Sequence, residues 1–188
     1  AGKVLKHQIS HGKYTIQGMP SLFAGEKDKV ETLKIWLQDE VTKVTAVLIY
    51  SVFEEKNIIT RTVQVENAGK APVNLKGIMS VTLDFMDSDY DFIHFDGRHV
   101  MEREITRQPV SYGIQSIGSV RGSSSHQHNP FAILCEKGAG EDWGRCYGFS
   151  LVYSGNFICS VEKDQFDQMR LNMGIHPKHF SFQLKPGD

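Results

Sequence analysis

The chain has 188 residues, a formal net charge of −1, 40% apolar and 23% charged residues. That length and composition suit one ordinary globular domain with a sizeable core, with ragged ends at residues 1–13 and 185–188. The near-neutral charge gives no electrostatic case for nucleic acid or for an anionic membrane, no apolar run approaches the ~20 residues of a membrane span, and no signal-peptide pattern opens the chain.

In chain order the dominant period is two. Strands are predicted at Glu31–Leu37, then at Val44–Phe53 and Ile58–Glu66, joined by the polar "EEKN" as a hairpin. The "NAGKAP" turn leads to a long strand over Val73–Asp84, with Gly77 as a possible bulge. Further strands are predicted at Phe92–Phe95, Gly113–Ser119, Phe131–Cys135, Cys146–Tyr153, Phe157–Glu162, Gln168–Met173 and Phe180–Leu184. Many short strands between Gly, Pro and Asn turns predict an all-β fold of antiparallel sheets with little helix. Cys135, Cys146 and Cys159 are odd in number and widely spaced. That argues against a disulfide framework or a zinc knuckle, and free thiols fit the cytoplasm.

Four stretches invite a chemical reading. In "RGSSSHQHNPF", His126 and His128 could face one metal if the segment were extended, but no third ligand is suggested by spacing. Ser123, Ser124 and Ser125 lie too close to them for a triad, whose members converge from separate elements. A loop shaped by side-chain hydrogen bonds is the preferred reading, and no metal is expected. The acidic run holding Asp84, Asp87, Asp89, Asp91 and Asp96 fails as a calcium loop, because Phe92 and Arg98 stand where Gly and Glu are needed. Its carboxylates read as a solvated turn. "DGRHVMERE" (Asp96–Glu104) reads equally as the polar rim of a sugar pocket or as an ion-paired loop. Tyr147, Phe149 and Tyr153 form a period-two aromatic stripe, which is more often sheet core than a sugar platform.

The strings "YSVFEEKNIITRTVQVENAG", "LDFMDSDYDFIHFDGRHVMERE", "RGSSSHQHNPF", "YGFSLVYSGNF" and "DQFDQMRLNMGIHPKHFSFQLKPG" occur in one unbroken order. In that order they resemble the N-terminal domain of bacterial α-galactosidases of glycoside hydrolase family thirty-six. The resemblance implies a β-supersandwich like that of galactose mutarotases, preceding a (β/α)₈ barrel that carries an aspartate nucleophile and an aspartate acid/base. It implies retaining hydrolysis of terminal α-galactosides of the melibiose and raffinose class through two carboxylates, with no cofactor. The implied partners are galactose-containing oligosaccharides, the protein's own barrel, and further copies of itself, the family forming tetramers. A barrel needs about 250 residues, and the family's Lys-Trp-Asp is absent from these 188. The resemblance therefore implies a non-catalytic piece, inactive alone, with the barrel expected after residue 188.

By the same resemblance Arg121, Ser124, His126 and Asn129 belong to a structural or barrel-docking loop. His99 stands where relatives carry a tryptophan that reaches the galactoside, and is a candidate substrate contact through its ring nitrogens. The competing readings are a free-standing carbohydrate-binding module and an aldose epimerase-like domain.

Overall fold

The computed structural model describes residues 2–188, which form fourteen strands and no helix. All pairings between strands are antiparallel, so the expected all-β, antiparallel fold is what the sequence adopts. The chain divides into two compact units. One comprises the residues up to Lys76 together with Ser181–Asp188, and the other is Gly77–Phe180.

The first unit is a four-stranded sheet in the order β1 (Lys3–His11), β2 (Val30–Gln38), β3 (Val44–Phe53) and β4 (Ile58–Asn67). β3 alternates as its β-branched sequence requires, with Thr45, Val47, Ile49, Ser51 and Phe53 on the buried side. Thr32 and Ser51 are buried polar residues on neighbouring strands. The Thr32 hydroxyl donates to the Gly12 carbonyl at 2.6 Å, so its 2.7 Å contact with Ser51 Oγ leaves Ser51 as the donor. A two-stranded piece pairs β5 (Val73–Leu75) with β14 (Phe182–Leu184).

Asn67 ties this unit together and is 1% exposed. Its Nδ2 donates to the carbonyls of Ala71 and Leu184, and its Oδ1 accepts from Gly69 N–H. Its main chain bonds Asp188 and Gly187. The end of the chain is therefore fastened, not ragged. The opening residues are likewise a strand: β1 is exposed on every residue, so it carries no buried alternation by which it could be read. The predicted long strand Val73–Asp84 is two elements, β5 and β6 (Met79–Phe85), which lie in different units with the change falling between Lys76 and Gly77.

The second unit packs two sheets. One orders β11 (Cys146–Ser150), β10 (His128–Glu136), β7 (Tyr90–Arg98) and β8 (Met101–Pro109); the other orders β12 (Phe157–Lys163), β13 (Met169–Ile175) and β6. β9 (Gly113–Ser119) accompanies β12. Between them sits a core of Phe92 and Leu134 from the first sheet against Phe157, Cys159, Val161, Met169, Leu171 and Met173 from the second. Residues two apart point the same way along a strand, which is why these are every second position of β12 and β13. Phe149 packs against this core, and Tyr147 meets Phe85 and Tyr90 edge to face, so the aromatic stripe is sheet packing over those two residues.

Candidate functional site

A cluster of polar side chains in the second unit lies toward the turn of the β7–β8 hairpin. Period two along β7 puts His94 and Asp96 on one face, and β10 begins beside them at His128, whose Cα partner is Asp96. Asp96 Oδ1 accepts from His94 Nδ1 at 2.9 Å and from His128 Nδ1 at 2.8 Å. Its other oxygen, Oδ2, accepts from the Thr106 hydroxyl at 2.6 Å. His94 Nε2 meets Gln108 Nε2 at 3.3 Å. An amide nitrogen only donates, so His94 carries its proton on Nδ1 and accepts at Nε2.

His94 is buried, while Asp96 and His128 are half-buried. Burial pushes the Asp96 carboxyl upward, but the Thr106 hydroxyl and the two imidazoles outweigh it and hold the group below the usual carboxylate range. His128 is then an imidazole oriented by a carboxylate, with Nε2 unbonded among the described residues. Such a group can accept a hydrogen bond from a hydroxyl or take a proton. His94, Asp96 and His128 each offer a ligand atom, all within 4.8 Å of one another, so these are the residues that could hold a metal ion. Each imidazole would ligate through the ring nitrogen that carries no proton.

His126 is not part of this group. The metal reading of the sequence paired it with His128, but His126 lies in an exposed turn that precedes β10. The missing ligands are two positions apart on another strand, and only the β7–β10 pairing brings them to His128.

The loop before β10 is held mainly by its backbone. Ser119 Oγ donates to the Ser123 carbonyl at 2.6 Å, Gly122 N–H donates to Asn156 Oδ1 at 2.6 Å, and Ser124 N–H donates to the Ser154 carbonyl at 2.7 Å. Ser125 Oγ accepts from Gln127 N–H at 3.3 Å. No serine hydroxyl of the loop bonds a histidine among the described residues. Arg121 and His126 are exposed, and Ser124 and Asn129 are half-buried.

Gly97 lets the loop close on the hairpin, its N–H donating to the Gln127 carbonyl at 3.1 Å. A Cβ there would come within 2.7 Å of the Met101 carbonyl oxygen and 2.9 Å of the His126 carbonyl oxygen. Gly97→Ala is therefore expected to cost about 1–3 kcal/mol by overpacking against backbone that cannot swing away. Thermal unfolding of the chain checks this.

The segment Asp96–Glu104 is the turn of this hairpin, with Arg98 opposite Met101 and His99 and Val100 at the tip. Val100 has φ 70° and Arg103 φ 64°. For a β-branched residue the left-handed region is costly, of order 1–3 kcal/mol. His99 is exposed and makes no hydrogen bond or ion pair among the described residues. Glu102 accepts from Val100 N–H at 3.1 Å and forms no ion pair with His99 among the described residues. The acidic run is dispersed: Asp84 takes Arg170 on two bonds, Asp91 takes Arg107, Asp89 takes Lys137, and only Asp96 joins the histidines.

The antiparallel sheets and the Asp96 carboxylate shared by two imidazoles define a β-sheet domain with a polar cluster near the turn of one hairpin. The chain matches the model of the "Glycosyl hydrolase family 36 N-terminal domain" over residues 2–185, and it belongs to that family. It is 44% identical over 182 residues to the bifunctional alpha-galactosidase/sucrose kinase AgaSK of Mediterraneibacter gnavus, covering 97% of this chain and 19% of that protein. It is 42% identical to alpha-galactosidase AgaA of Geobacillus stearothermophilus, covering 97% of this chain and 25% of that protein. A crystal structure of an AgaA variant in complex with stachyose superimposes with a TM-score of 0.97 at 41% identity, over 100% of this chain and 26% of that one. The galactosidase domain of AgaSK gives 0.95 at 44% identity, over 98% of this chain and 26% of that one. The chain thus spans about a quarter or less of these relatives.

Proposed function

We propose that the chain is the non-catalytic N-terminal domain of an α-galactosidase that hydrolyses terminal α-galactosides of the raffinose and melibiose class with retention. The observation that carries this is the match along nearly the whole chain to the first quarter of enzymes such as AgaA, variants of which have been crystallised with stachyose and raffinose. In this reading a catalytic barrel follows residue 188 in the parent protein, which works in the cytoplasm as a homo-oligomer. The loop holding Arg121, Ser124, His126 and Asn129 shapes the hairpin end and faces the barrel. The parent reading frame tests the first point directly, and light scattering of the full-length enzyme tests the oligomer. The isolated chain is expected to release no galactose from an aryl α-galactoside, because it lacks the barrel's pair of carboxylates. Turnover that survives purification would overturn the reading.

The exposed tip of the β7–β8 hairpin supports His99 as a contact for the sugar. Its imidazole has no partner of its own among the described residues, so both ring nitrogens remain for a hydroxyl. One neutral hydrogen bond is worth roughly 0.5–1.5 kcal/mol, so His99→Ala in the full-length enzyme is expected to raise KM for raffinose about two- to tenfold. Unchanged kinetics in a folded variant would make the tip a solvated turn.

The aldose epimerase-like reading has one observation in its favour: Asp96 orients His128, a convergent imidazole and carboxylate that sequence spacing does not specify. Polarimetry of freshly dissolved α-galactose with the isolated chain separates the two. Acceleration lost in His128→Ala would support the epimerase, and the uncatalysed rate would leave the galactosidase domain.

A further inference from the structure

The three cysteines, which the sequence scatters, are not equivalent in the fold. Cys135 on β10 and Cys146 on β11 are direct Cα partners. The next pair outward, Glu136 and Arg145, is joined by the Glu136 N–H to Arg145 carbonyl bond at 3.0 Å. Hydrogen-bonded and non-hydrogen-bonded pairs alternate along an antiparallel ladder, so Cys135 and Cys146 occupy a non-hydrogen-bonded pair. There the Cα atoms are about 4.5 Å apart and both side chains leave the same face. A disulfide needs Cα atoms roughly 4.4–6.8 Å apart with converging Cβ vectors. The backbone already meets that requirement.

The two thiols differ in access. Cys135 is buried and Cys146 is exposed. Arg107 lies beside both, its charge acting on each sulfur. It is fixed by Asp91 at 2.7 Å and by the Ala139 carbonyl at 2.7 Å. Burial pushes the Cys135 thiol up despite the Arg107 charge, so exposure makes Cys146 the thiol that an oxidant in solution meets first. Cys159 is the internal contrast: it is 0% exposed in the core, and burial pushes its thiol up to about 12.

We propose that Cys135 and Cys146 form an oxidative modification site, closing an intrachain disulfide between β10 and β11 when the protein meets a peroxide. The exposed Cys146 thiolate attacks one peroxide oxygen, the O–O bond breaks, and the departing hydroxide takes a proton to leave as water. Cys146 is then a sulfenic acid. The Cys135 sulfur attacks the Cys146 sulfur, the S–O bond breaks, and the hydroxyl leaves with the Cys135 proton as a second water. Two thiols have lost two electrons and two protons, and the peroxide has been reduced to two waters. The bond fastens β11, the edge strand of its sheet, to β10.

The test is hydrogen peroxide on the folded 188-residue chain, followed by unfolding, alkylation and mass spectrometry. The number of thiols that alkylate is expected to fall from three to one, with the chain two hydrogens lighter and still monomeric. A linked peptide containing Cys135 and Cys146 is expected, and a dithiol reductant should restore all three thiols. Cys146→Ser changes an exposed position, so it should fold, and it should keep both remaining thiols under the same treatment. Three alkylatable thiols after treatment would overturn the proposal. So would a sulfinic acid on Cys146 beside a free Cys135, a link between chains, or a disulfide formed in Cys146→Ser.

Discussion

Asp96→Ala is expected to lower the stability of the chain by about 2–4 kcal/mol, although the side chain is only half-buried. The carboxylate accepts three hydrogen bonds, from His94, His128 and Thr106. Bonds to a charged group contribute roughly 1.5–3 kcal/mol each, and an unpartnered buried donor costs roughly 1–3 kcal/mol. Water can reach His128 and compensate it in part, but His94 is buried and its Nδ1–H would lose its only partner. The effect has a defined pH dependence. The folded carboxyl sits below its ordinary value, so its stabilisation is complete above the unfolded value, about 3.9. It is lost as pH falls through the lower folded value. Urea unfolding of wild type and Asp96→Asn should therefore differ most at neutral pH and converge in strong acid. A constant difference from neutral to strongly acid pH would show that the carboxylate charge is not what the network uses.

Asn67→Ala is expected to cost about 3–5 kcal/mol, the larger of the two. Truncation leaves the carbonyls of Ala71 and Leu184 and the N–H of Gly69 without their partner in a site 1% exposed. A buried polar group left unpaired costs roughly 1–3 kcal/mol, and three of them are affected. Asn67→Asp tests the same point differently. It keeps the acceptor for Gly69 but sets a buried carboxylate oxygen against two carbonyls, so at neutral pH it should be at least as destabilising as Asn67→Ala. Denaturant midpoints of the two variants check the order.

The strands with a buried face were legible in the sequence because burial imposes the alternation that reveals them. β3 was read at both ends and β9 likewise, and both carry buried residues at period two. β1 and β8 were missed. β1 is exposed throughout and β8 nearly so, and each stands at the edge of its sheet, so neither strand must alternate apolar with polar residues. The Asp96 network was unreadable for another reason. Its members come from β7, β8 and β10, and the sequence held the histidine pair His126–His128 in view while the real partners lay over thirty positions earlier. The opposition of Cys135 and Cys146 was hidden in the same way, since register and not spacing creates it.

The division of the chain at Lys76 and Ser181 bears on the order in which it folds. Unit Gly77–Phe180 is an insertion between the adjacent strands β5 and β14 of the first unit, with Leu75 opposite Phe182. The Asn67 bond to Leu184 links residues 117 positions apart. During synthesis from the N-terminus that bond must wait until the whole insertion has emerged. A folded insertion holds its ends close, so the closure entropy of the long segment is already met when Leu184 arrives. The first unit is thus a clasp fastened last, and a released chain truncated before Ser181 should protect the Gly77–Phe180 core while the main-chain bonds of Asn67 to the final residues are absent.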